Sequence, residues 1–198
     1  MDETPIIRAC QTGDRDAQRL LFDQTSGRLY RFLLRFTGDP EEAFELTQET
    51  FVKGLSQIAQ FDGRSSISTW LHRIAVNEAL QQRRRRETLR RKVDRLASGT
   101  AGAYEVAAEM TLRLDVDDAL ERLSDEDRTI LLLKYHEGFD YRTIAEITGS
   151  PLGTIASRLN RARDRLRTLL GDAYAPAEEE GVVAHPTKEG QSIQTDGQ

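Results

Sequence analysis

Cysteine occurs once, at Cys10, and tryptophan once, at Trp70. A lone cysteine excludes an internal disulfide framework. No apolar run approaches the roughly 20 residues needed to cross a bilayer. Met1 to Cys10 carries two acids, Asp2 and Glu3, and lacks the basic start and apolar stretch of a secretory signal. A soluble, reducing, cytoplasmic setting is therefore expected, with no membrane insertion. Alternating strand patterns, hairpin turns and internal repeats are also missing. His72, His136 and His185 are scattered without metal-ligand spacing, Cys10 has no partner, and there is no glycine loop to cradle a phosphate. Neither a metal nor a cofactor is expected, and an enzyme is disfavoured.

What is present is charge and helix. Of 198 residues, 31% are charged and only 38% hydrophobic, a balance that suits small helical domains joined by polar linkers rather than one large enzyme core. The net charge of −5 hides a sharp partition. Gln81 to Arg95 reads QQRRRRETLRRKVDR, with Glu87 and Asp94 as its only acids. From Pro151 to Leu170, Arg158, Arg161, Arg163, Arg165 and Arg167 face the single acid Asp164. The acids gather in the first fifty residues and the tail. Local sign, not the mean, governs what such a surface attracts.

An all-α fold of two small helical domains joined by a flexible linker follows from the periodicity. Leu20, Leu21, Leu29, Phe32, Leu33 and Phe36 recur at roughly helical spacing. Gly38-Asp39-Pro40 stops that helix and starts another, Glu41 to about Gln60, with Leu46, Phe51, Val52, Leu55 and Ile58 expected inward. After the polar loop Phe61 to Ser66, a helix capped by Ser66 or Ser68 carries Trp70, Leu71, Ile74 and Ala75, and Trp70 is expected in the core. Residues 13–86 form the first domain and 87–111 the linker, around the small-residue stretch Ala97 to Ala103. Residues 112–170 form the second domain, and 171–198 an acidic tail for which disorder is the default.

The second domain reads as a helix-turn-helix. Ser124 can cap a helix with Asp127 in the capping-box position, and Glu137-Gly138 ends it. Tyr141 to Thr148 follows, then a turn at Gly149, with Ser150 as cap and Pro151 as first residue of the last helix. On that helix Ile155, Leu159, Ala162, Leu166 and Leu169 share one face, while Thr154, Ser157, Arg158, Arg161 and Arg165 share another. An apolar seat under a basic, hydroxyl-bearing face suits the DNA major groove and its flanking phosphates. A solvated basic surface explains the arginines alone, but not the whole arrangement of turn, cap, seam and face.

The segments Glu41 to Phe51 (EEAFELTQETF) and Thr69 to Asn77 (TWLHRIAVN), joined through Phe61 to Ser66, closely resemble region 2 of bacterial sigma factors. Gly138 to Leu170 resembles their region 4. A short chain with only these two regions is similar to the extracytoplasmic-function (ECF) group, and the resemblance covers about Gly13 to Arg86 and Asp115 to Leu170. It implies a factor that directs core RNA polymerase to promoters and helps open the DNA. It implies docking of Glu45, Gln48 and Glu49 on the polymerase β′ subunit, with β as a further contact. Asp62, Gly63, Arg64, Ser65, Ser66, Arg73, Asn77, Arg83 and Arg84 would meet the −10 element, with Arg85 and Arg86 near the duplex phosphates. Thr154, Ser157, Arg158, Arg161 and Arg165 would meet the −35 element. An anti-sigma factor is a further candidate partner, and a nucleoid-associated location follows from the holoenzyme. Phe44 stands where relatives often carry an acid, and Ile67 where they often carry phenylalanine, so base preference does not transfer.

The competing reading is a repressor or activator that uses only the second domain on DNA. It needs a ligand or phosphoryl-acceptor domain in the first half, and the strand–helix alternation of such a domain is missing.

Overall fold

The computed structural model describes residues 4–97 and 116–171, and every regular element among them is helical. The expected linker residues 98–111, the expected start of the second domain near Leu112, and the tail beyond Gly171 lie outside the described residues.

Local chemistry sets the helix boundaries. α1 (Thr4–Gln11) precedes α2 (Arg15–Thr37), whose first turn is closed by the Asp14 carboxylate accepting from the amides of Asp16 and Ala17. Asp39 caps α3 (Pro40–Gln57) in the same way, and Pro40 stands in the first turn, where a missing N–H costs nothing. A 3₁₀ turn, Ile58–Gln60, follows. Ser66 rather than Ser68 caps α4 (Ile67–Ala97), its Oγ accepting from the Thr69 amide at 3.0 Å. These helices bury Leu29, Phe32, Leu33 and Phe36 against Ala43, Leu46, Phe51, Leu71, Ala75 and Ala79. Each large side chain so buried contributes roughly 1.5–3 kcal/mol. Gly54 lets α3 and α4 approach closely, since a Cβ there would lie 3.0 Å from Leu71 Cδ2. Trp70 is half-buried, its ring edge-on to Phe61 at 5.5 Å, as a core role requires.

Three expectations for the first unit need correction. Val52, expected inward, is 71% exposed, and Leu20, grouped by spacing with the apolar residues of α2, is 44% exposed. Consecutive helical residues differ by about 100° around the axis, so Phe51 and Leu21 take the inward direction and turn their neighbours out. The third concerns Glu87, expected to open the linker. α4 runs on to Ala97 instead, helped by helix-favouring arginines and an Arg91–Glu87 pair at 2.7 Å, one turn apart.

The second unit contains α5 (Val116–Glu121), α6 (Asp125–Leu131), a π turn (Leu132–His136), α7 (Tyr141–Thr148) and α8 (Leu152–Leu170). Its core is Ile130, Leu133, Ile144, Ile147, Ile155, Leu159 and Ala162. Ser124 caps α6 through the Asp127 amide, as expected. Gly149 adopts φ +64°, a left-handed turn in which a side chain would be strained. Ser150 does not cap α8. Pro151 takes the cap position with an extended ψ of 135°, so the helix begins only at Leu152, and the Thr154 amide and hydroxyl both donate to the Pro151 carbonyl.

The two units pack on one another, α4 against α7 and α2 against the π turn. Arg128, fully buried in the middle of α6, donates to the carbonyls of Phe36 (2.6 Å) and Leu120 (2.7 Å). Burial, with Arg83 nearby, lowers its pKa to about 10. Sequence reading treated each unit separately and did not anticipate this interface.

Candidate nucleic-acid interface

Helical spacing turns one face of α3 outward. Phe44, Glu45, Gln48, Glu49 and Val52 are all exposed, while Ala43, Leu46, Thr47 and Thr50 hold the helix to the core. Thr47 and Thr50 bury their hydroxyls by donating to the carbonyls of Ala43 and Leu46. The outward face therefore combines two carboxylates and an amide with two apolar side chains. Phe44, which departs from the resemblance, is 56% exposed and adds apolar area to that face.

The loop between α3 and α4 is tethered from the side. Gln11 of α1 donates through Nε2 to the carbonyls of Ile58 (3.1 Å) and Phe61 (2.9 Å). Beyond that anchor, Asp62 pairs with Arg64 at 3.0 Å and accepts from its amide, and Gly63 turns the chain with φ +74°. Asp62, Gly63 and Arg64 are exposed, and Ser65 is half-buried. The hydroxyl of Ser66 is engaged in capping α4 and in a 2.9 Å bond with Thr69. Arg73, Asn77 and Arg84 are exposed along α4. Arg83 differs from them, reaching Asp125 of the second unit at 2.5 Å and lying over the Phe36 ring at 5.4 Å.

On α8, Thr154, Ser157 and Arg161 are exposed. The Thr154 and Ser157 hydroxyls donate to their own helix backbone. Arg158 is half-buried and pairs with Glu126 at 3.1 Å, and Arg165 pairs with the largely buried Asp127. A cleft of about 320 Å³ runs between the units, lined by Asn77, Gln81 and Arg84 on one side and Glu126, Ser150 and Arg158 on the other. Candidate residues from both halves thus face each other across one gap.

Three charged or titratable residues escaped the sequence reading. Glu137, with its side chain 1% exposed, sits where the π turn sends an extra residue inward, its amide reaching back to Leu132 at 3.0 Å. It accepts from Arg28 Nε at 2.5 Å, faces His72 Nε2 at 3.2 Å and bonds His136 Nδ1 at 2.8 Å. Burial pushes this carboxyl up, but His72, then His136 and Arg28, outweigh it and hold Glu137 down to about 2. His72 is 2% exposed between the edges of Phe32 and Phe139, and its Nδ1 donates to the Ser68 carbonyl at 2.7 Å. For Arg128 a signal did exist. It lies three and four residues before Leu131 and Leu132, a charge on the apolar stripe. Among the described residues no group of histidine, cysteine and carboxylate side chains could hold a metal ion, and no helix is long and apolar enough to cross a membrane.

Residues 21–89 match the family model of sigma-70 region 2, and residues 113–166 match that of sigma-70 region 4. The ECF RNA polymerase sigma factor SigW of Bacillus subtilis is 31% identical over 179 residues, covering 84% of this chain and 95% of that protein. The RNA polymerase sigma-H factor of Pseudomonas aeruginosa is 31% identical over 81% of this chain and 90% of its own length. A solved structure of the sigma factor RpoE from Bartonella quintana, in complex with the anti-sigma factor NepR, aligns with a TM-score of 0.61 at 31% identity, covering 77% of this chain and 95% of that one. The two matched regions stand in the order and on the helices described above, and the chain belongs to the ECF group of the sigma-70 family of RNA polymerase sigma factors.

Proposed function

We propose that this protein is the promoter-specificity subunit of a bacterial RNA polymerase, binding core enzyme through α3 and promoter DNA through α4 and α8. It supplies the address, and the polymerase supplies the chemistry; it is not itself a catalyst. The observation that carries the reading is the co-occurrence of regions 2 and 4, in that order, with the outward faces of α3 and α8 bearing the expected side chains. Residues 13–86 serve polymerase docking and the −10 element, and 112–170 serve the −35 element. Within them, Glu45, Gln48 and Glu49 meet basic groups of the β′ subunit. Asp62 to Ser65, Arg73, Asn77 and Arg84 meet the opened −10 strand, with Ser66 shaping the loop as a cap and Arg83 held in reserve by Asp125. Thr154, Ser157, Arg158, Arg161 and Arg165 meet the −35 duplex. The work is done in the cytoplasm, on the nucleoid. An anti-sigma factor is a natural partner, since the Bartonella relative is seen bound to one.

Co-elution with core polymerase tests the docking half. The Gln48→Ala, Glu49→Ala variant keeps its helical circular dichroism, because both side chains are exposed, and it should elute largely free of core enzyme. Co-elution equal to wild type would remove α3 as the docking element.

A further inference from the structure

Three consecutive acids open α6, and each holds an arginine assigned above to DNA. Asp125 pairs with Arg83 of α4 at 2.5 Å, Glu126 with Arg158 of α8 at 3.1 Å, and Asp127 with Arg165 of α8. Two of the arginines belong to the −35 helix and one to the helix of the −10 surface. Arg83 reaches this single helical turn from the first unit, and Arg158 and Arg165 reach it from the second. A carboxylate offers a guanidinium the same pair of anionic oxygens that a backbone phosphate does. We propose that the first turn of α6 is an intramolecular surrogate for DNA phosphate, occupying arginines of both promoter-reading surfaces and so suppressing DNA binding by the free protein. The inference rests on the proposed roles of Arg83 and Arg158.

The thermodynamics follow from exchange. When an unpaired arginine binds phosphate, the DNA sheds a condensed cation, and affinity falls with salt by about 0.9 in the logarithmic slope for each phosphate neutralised. When the arginine first leaves a carboxylate, the abandoned acid gathers a cation from solution and offsets that release. The protein therefore binds duplex DNA weakly and with a shallow salt dependence. Separation of the two units breaks the Arg83–Asp125 pair outright, while the two α8 pairs must be exchanged on the DNA itself.

The test uses the full chain without polymerase and a duplex of arbitrary sequence, titrated across a series of potassium chloride concentrations. Asp125 is half-exposed and Glu126 exposed, so an Asp125→Asn, Glu126→Gln variant keeps the fold, which circular dichroism checks; buried Asp127 is left alone. At low salt the variant should bind roughly fivefold tighter, the scale of two exposed ion pairs. Its salt slope should steepen by up to about 1.8, for two arginines made free. Adding Arg83→Ala and Arg158→Ala should abolish both gains, and Glu146→Gln, which removes an exposed carboxylate on α7, should produce neither. Unchanged affinity and slope in the acid variant would overturn the inference, as would gains that survive loss of the two arginines. A parallel arm separates the underlying reading, using holoenzyme and a promoter selected by that holoenzyme from a random pool. If Arg158→Ala weakens this complex while the acid variant changes nothing, only the surrogate is wrong. If Arg158→Ala leaves it intact, the −35 role fails and the inference falls with it.

Discussion

Glu137 is the residue on which the contacts between the two units converge, accepting from Arg28 of α2 and facing His72 of α4. Its folded-state pKa of about 2 lies below the ordinary 4.5, so its contribution is fully present above pH about 4.5 and is lost as pH falls toward 2. A shift of that size corresponds to stability on the order of 3 kcal/mol. Urea unfolding of wild type and Glu137→Gln should show a gap of about that magnitude near neutral pH, closing steadily in acid. A gap independent of pH would mean that the glutamine disrupts packing and that the charge contributes nothing. Exposed residues were the legible ones at this scale. Glu45, Gln48 and Glu49 could be placed on one outward face by spacing alone, and they are there. Glu137 and His72 could not, because a polar side chain in an amphipathic pattern reads as solvated until its distant partner is known; Arg128 showed its burial by its place on the apolar stripe, but not its partner.

Element by element, the helices were legible wherever a cap or an apolar stripe announced them. Asp39, Ser124 and Gly149 mark boundaries that the structure keeps. The misreadings have local causes: Pro151 delays α8 by one residue, and helix propensity carries α4 beyond Glu87. The π turn had no signature, since one extra residue per turn changes hydrogen bonding without changing composition. α8 carries the element-scale prediction. Its exposed hydroxyls donate to its own backbone, so on the proposed reading the arginines are the donors left to read bases. In holoenzyme, Arg158→Ala should relax preference at one −35 position by about 1–3 kcal/mol while other positions keep theirs. A uniform loss across all −35 variants would assign Arg158 to phosphate instead.

At the scale of the whole molecule, the order of the two units and the helical class were open to sequence reading, but their packing was not. Arg28 and Glu137 are 109 residues apart in the chain, and Arg128 and Phe36 are 92 apart, so no local pattern could pair them. In this packing Asn77 and Arg158 line the same cleft, whereas a promoter presents its −10 and −35 elements at separate places along the duplex. On the proposed roles of these residues, the units part for both surfaces to engage DNA at once, at the cost of the contacts made by Glu137, Arg128 and Arg83. On the proposed reading, core polymerase docked on α3 is the partner that would offset this cost. The most direct test of that account is run-off transcription with purified core enzyme on the DNA upstream of this protein's own gene. A discrete transcript that appears only when the protein is added, and is lost with Gln48→Ala, Glu49→Ala, is the predicted result. Core enzyme that initiates no differently with or without the protein, on that DNA and on a random-sequence promoter pool, would contradict it.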